Sequence, residues 1–94
     1  MQFLAVNRPR PTTTTDQLGP VIPDHLRWVT HEQRTGHIVR AGRWGNGGMC
    51  IIEAPDDASA ARIINEDPLV AAGLVDVEMA VIVPHPGQPG PGTT

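Results

Sequence analysis

The 94-residue chain contains no lysine, no tyrosine, one cysteine, one serine and only three aromatic residues. With Cys50 alone, neither an internal disulfide framework nor a zinc site built on cysteines can form. No apolar run approaches the roughly 18 residues of a membrane-spanning helix, so no membrane partner is expected. Seven arginines face ten acidic residues, for a net charge of −3. That lacks the dense basic footprint of non-specific nucleic-acid binding. The amino terminus shows no basic segment followed by an apolar core and a small-residue cleavage site, so a cytoplasmic protein is expected. The lone serine, Ser59, falls inside a helix with no histidine at a useful offset, which leaves a serine hydrolase without support.

What the chain does have is 10 Gly and 10 Pro, with 39% hydrophobic residues. A folded monomer of this size buries only about 60–68% of the surface its unfolded chain exposes. Part of the Gly and Pro lies in a tail that cannot join a core, so self-association is expected.

Met1 to Val6 reads as a strand, with Phe3 and Ala5 on one face and Leu4 and Val6 on the other. Pro9, Pro11, Thr12–Thr15, Gly19 and Pro20 then form a broken, polar connection, either a mobile loop or a lid. A helix is expected near residues 23–35. Pro23 suits its first turn, Leu26 and Val29 give an apolar stripe flanked by Trp28, and Gly36 is the natural stop. His37 to Trp44 and Met49 to Ala54 read as strands around the turn Gly45-Asn46-Gly47-Gly48, where Asn-Gly favours positive φ. That turn is no phosphate cradle, because neither a following helix nor the Lys-Ser/Thr pair is present.

A second helix starts at Pro55-Asp56-Asp57, buries Ala60, Ile63 and Ile64, and ends at Asp67-Pro68. Leu69 to Gly73 is a connector. Leu74 to Val83 is the last strand, with Val75, Val77, Met79, Val81 and Val83 on one face. Residues 84–94 are a Pro/Gly-rich tail beyond a domain of residues 1–83. The order β-α-β-β-α-β specifies an α+β, ferredoxin-like arrangement: a four-stranded antiparallel sheet with two helices on one face. The other face stays open, and an apolar open face on so small a domain asks for a second sheet.

Four histidines invite a metal reading that geometry weakens. His25 and His31 lie about 240° apart around a helix, and His25 and Glu32 are separated by about 10.5 Å along it. Neither pair can chelate one ion, and no metal is expected. His31 reads as a solvated face residue, His37 as an edge or turn residue, and His85 as part of the tail. His25 differs, lying in the first helical turn just after the Thr-rich segment. Asp24, Asp56 and Asp57 are explained as helix-start residues. Asp67 is explained equally well by a hydrogen bond to nearby backbone. Arg40, Arg43 and Glu53 are mid-strand charges that must face solvent, pair or line a pocket. Cys50, inside the apolar run Met49–Ile52, reads as a small buried hydrophobe.

Pro23-Asp24-His25-Leu26, Gly36, Ala41-Gly42 and the run from Asp67 to Gly73 resemble the YCII-related family of the dimeric α/β-barrel superfamily. The resemblance covers about residues 1–83. It implies that sheets from two subunits pack into a barrel with a ligand cleft in each, and that His25 and Asp67 form an acid–base pair. Imidazole moves a proton either way near neutral pH, and a carboxylate orients and charge-stabilises it.

A fainter likeness to muconolactone isomerases rests on Gly42-Arg43-Trp44, Pro68-Leu69 and His85-Pro86. Both resemblances imply proton chemistry without a cofactor on a small, carbonyl-bearing or halogenated organic molecule, of isomerase, lyase or cyclase type. Arg40 or Arg43, with Trp44, would bind the substrate. The short hairpin and the Thr/Pro segment before the first helix depart from the family pattern. A non-catalytic ligand-binding or accessory dimer using the same cleft is the competing expectation, and a purely structural dimer module is a third.

Overall fold

A computed structural model describes residues 1–87. Four strands, β1 (Gln2–Pro9), β2 (Ile38–Trp44), β3 (Gly47–Glu53) and β4 (Val75–Val81), form one antiparallel sheet in the order β2-β3-β1-β4. Helices α2 (Ile22–Thr35) and α3 (Asp57–Asn65) supply the two crossovers. This is the ferredoxin-like split βαβ topology. No described helix is long and apolar enough to cross a membrane. Of the expected tail, residues 88–94 lie outside the described residues, and Pro84 to Gly87 carry only a turn.

Alternation along the strands decides which side chains form the core. Phe3, Ala5, Cys50, Ile52 and Ile38 are paired across β1, β3 and β2, share the helix-covered face and are buried. Ala60 and Ile64 of α3 close over them, with Trp28 of α2 and Val77 and Met79 of β4 packed at the edge. Leu4, Val6, Met49 and Ile51 occupy the opposite face, half-buried with no helix above them.

Helix ends follow local chemistry. Gly36 closes α2 at φ 85°, with Asp24 in the first turn and Arg34 in the last complementing the helix dipole. Asp56 caps α3 by accepting from the Ser59 N–H at 2.7 Å. That hydrogen bond, chiefly, holds its carboxyl below the usual carboxylate range. A depressed folded-state value means stability that is present above the unfolded carboxyl pKa and lost as pH falls through the folded one. Asp56→Ala should therefore lower the melting temperature at pH 7, with the gap to wild type closing below about pH 4. Thermal unfolding across that range checks the sign.

Several expectations need correction. The connection after β1 contains a short helix, α1 (Thr15–Leu18). Thr14 and Gln17 close a reciprocal capping box there, a Thr-x-x-Gln signature the propensity of the Thr run obscures. Strand β1 also runs on to Pro9, because its late residues pair with β4. The connector after α3 holds another short helix, α4 (Pro68–Ala71), capped by Asp67.

The hairpin turn is Gly45-Asn46, with positive φ at Gly45 (60°) and no described non-glycine residue at positive φ. It follows a II′ pattern instead of the expected Asn-Gly geometry. Gly47 is consumed differently: a Cβ there would stand 1.8 Å from the Asn7 carbonyl oxygen. His37, expected at an edge or turn, is half-exposed and meets the buried Glu32 at 2.6 Å, fastening the end of α2 to β2.

Candidate active site

His25 sits in the first turns of α2, and Asp67 at the start of α4. The fold brings these residues, 42 positions apart, to 2.8 Å between His25 Nδ1 and Asp67 Oδ1. Asp67 is 0% exposed, so its carboxylate lies away from water. Its Oδ1 also accepts from the Leu69 N–H at 3.0 Å, and Pro68 between them has no N–H to compete. The backbone role and the imidazole contact are thus both present at one oxygen.

An ionised carboxylate can only accept, so the hydrogen at this contact belongs to His25 Nδ1. The tautomer is fixed by that constraint, and Nε2, with no hydrogen bond to any described residue, carries the free lone pair. Such an imidazole can take a proton at Nε2 and return it, while Asp67 stabilises the cation formed.

The pair lies in the wall of a cavity of about 500 Å³ between α2 and the helix-covered face of the sheet. Ala5, Val29, Ala41, Leu69 and Val75 give it apolar walls, and Leu18 and Ile22 close over it from the segment preceding and opening α2. The segment expected as a loop or lid is therefore part of the cavity, tied down by Arg10 N–H and Thr13 Oγ1–H donating to the Leu74 carbonyl.

Of the expected substrate-binding residues, Arg43 lines this cavity and Arg40 and Trp44 do not. Arg43 pairs with Gly48 on the helix-covered face, while Arg40 pairs with Ile51 and Trp44 with Gly47 on the other. The β-bulge between Ile38 and Arg40 resets this alternation, which a strict period of two from His37 cannot anticipate.

Trp28, read from sequence only as the flank of an apolar stripe, also lines the cavity, its ring centroid 6.1 Å from that of His25. Its Nε1–H and Asp67 Oδ2 are buried without a hydrogen-bond partner among the described residues. One helical turn separates Trp28 from His25, and that spacing was the available signal. No group of three or more His, Cys, Asp or Glu that could hold a metal occurs among the described residues.

Cys50 borders the same cavity. Burial, and secondly the charge of Asp67, push its thiol up to about 11. The thiolate is the reactive form, so alkylation by iodoacetamide at pH 8 should run about 10²-fold slower in the folded protein than in the urea-unfolded chain. Mass spectrometry of labelling against time checks this.

No curated protein matches this chain in sequence. Among solved structures, it is similar to muconolactone isomerase at TM-score 0.75 and 16% identity, covering 100% of both chains. It is also similar to 5-chloro-2-hydroxyhydroquinone dehydrochlorinase from Burkholderia phenoliruptrix, in complex with 2,5-dihydroxybenzoquinone. There the TM-score is 0.71 and the identity 20%, over 88% of this chain and 94% of that one. At these identities the likeness establishes the fold. The YCII-related domain model, in turn, matches residues 1–82, from the first strand through the last. This chain belongs to the YCII-related domain family.

Proposed function

We propose that the protein is a small acid–base enzyme, independent of any cofactor, acting on a carbonyl-bearing or halogenated organic molecule. The observation that carries this reading is the His25–Asp67 contact of 2.8 Å in the wall of an apolar cavity. His25 Nε2 takes a proton from a carbon made acidic by an adjacent carbonyl, and the bonding electrons move onto the carbonyl oxygen as an enolate. Return of the proton to another carbon gives isomerisation. Departure of chloride as the carbonyl reforms gives elimination, with one proton and one chloride released. Asp67 holds the imidazole in its tautomer and balances its charge throughout.

The similar structures include one enzyme named for each outcome, an isomerase and a dehydrochlorinase, which supports this range of chemistry. A non-catalytic binding dimer predicts a cleft in which His25 and Asp67 stand apart, and a structural module predicts no cavity. The 2.8 Å contact beside a 500 Å³ space supports the acid–base reading over these two.

The active assembly in this reading is a homodimer in which a second copy covers Leu4, Val6, Met49 and Ile51. The single buried thiol suits a reducing cytoplasm. The test is a panel of lactones and chlorinated hydroquinones, read by deuterium incorporation from D2O and by chloride release. Wild type and His25→Ala are run in parallel.

A further inference from the structure

Arginine use in this fold is uneven. Arg8, Arg10 and Arg27 are committed to Glu78, Asp76 and Asp24. Arg43 makes neither an ion pair nor a hydrogen bond to any described residue, yet it is the one arginine lining the cavity. The other charged group in that lining, Asp67, is buried and hydrogen-bonded to His25. The cavity therefore presents one guanidinium without a direct partner among the described residues, beside apolar walls and the neutral polar side chains of Asn7, Gln33 and Asn46.

Its position along the site follows from the topology. Strand β2 runs back along α2 after the Gly36 turn, and Arg43 lies about 15 Å up the strand from Ile38. His25 lies about 15 Å back along α2 from Thr35. Arg43 and His25 thus lie toward the same end of the cavity. Arg43 is exposed and on the edge strand, whereas Asp67 is fully buried, so the cationic group sits at the mouth and the proton-transfer pair inside.

The geometry points to a substrate that is a compact monoanion with an apolar body, such as a ring carboxylate, selected by Arg43. Resting on the acid–base reading of the same cavity, this assignment names the substrate class that the reading leaves open. The anionic group meets the guanidinium at the mouth, where it keeps part of its hydration, and the apolar body enters toward His25. That orientation avoids taking an unpaired anion into a low-dielectric interior. A planar guanidinium offers two parallel N–H donors to one carboxylate, which a neutral amide isostere cannot match.

Calorimetric titration with benzoate, and with benzamide as its neutral isostere, tests the assignment on the full chain. Wild type should bind benzoate at least about 10-fold more tightly than benzamide. Arg43→Gln should remove that preference, Arg43→Lys should keep part of it, and Arg62→Gln, on the outer face of α3, should leave it unchanged. Circular dichroism confirms that each variant is folded. Absence of benzoate binding, equal affinity for the two probes, or wild-type selectivity in Arg43→Gln overturns the assignment. His25→Ala separates the two readings. It should retain benzoate selectivity, and its turnover of the ring panel tests the acid–base chemistry alone.

Discussion

Replacing His25 with alanine is expected to lower turnover of any accepted substrate by about 10²–10⁴-fold while the protein stays folded. His25 is half-buried, and its side chain makes one protein hydrogen bond, to Asp67. Truncation removes the only imidazole that lines the cavity among the described residues, but no part of the Phe3–Ile52 core. Added imidazole should restore part of the rate, because the cavity keeps its shape and regains a base. Asp67→Asn is the companion variant. The amide cannot balance an imidazolium and can present N–H where the carboxylate accepts, so the preferred tautomer of His25 is lost. Its rate should fall by a comparable factor. Wild-type turnover by His25→Ala would end the catalytic assignment.

Phe3→Ala is expected to destabilise the domain by about 3–5 kcal/mol. Phe3 is 0% exposed and sits between Ile52 on β3 and the helices, so truncation leaves a cavity that strands held on both sides cannot close. Native domains hold only about 5–15 kcal/mol in total, and one of this size belongs at the lower end. The variant should unfold at markedly lower urea with an unchanged slope, followed by circular dichroism.

A substitution on the other sheet face separates folding from assembly. Ile51→Glu adds charge to the open face without touching the helix-covered core. It should leave the fold intact and convert a dimer to a monomer by light scattering. A wild-type protein that is monomeric at all concentrations would instead remove the dimer from the proposed function.

Much of the fold was legible because period and punctuation agreed. Phe3 and Ala5 against Leu4 and Val6 named the two sheet faces. Gly36 and Asp56 marked helix ends through backbone chemistry that acts within a few residues. The short helices α1 and α4 were not legible, since a four-residue helix has almost no apolar period to read. Only the Thr14–Gln17 box and the Asp67-Pro68 start announced them.

Of the candidate site, His25 and Asp67 came from motif resemblance, and nothing in their spacing of 42 residues implied contact. The face of each arginine on β2 turned on one bulge, and Trp28 looked like any aromatic on an apolar helix stripe.

The Gly and Pro of a chain without lysine or tyrosine fix where it turns. Its alternation and helical stripes fix which sides are apolar, because those properties depend on neighbours within about one turn or one pleat. The 2.8 Å contact between His25 and Asp67, the partnerless guanidinium of Arg43 and the cavity they share exist only after α2 crosses the sheet and α3 delivers Asp67 beneath it. Long-range placement of this kind is set by packing of whole faces, which no local run of residues encodes.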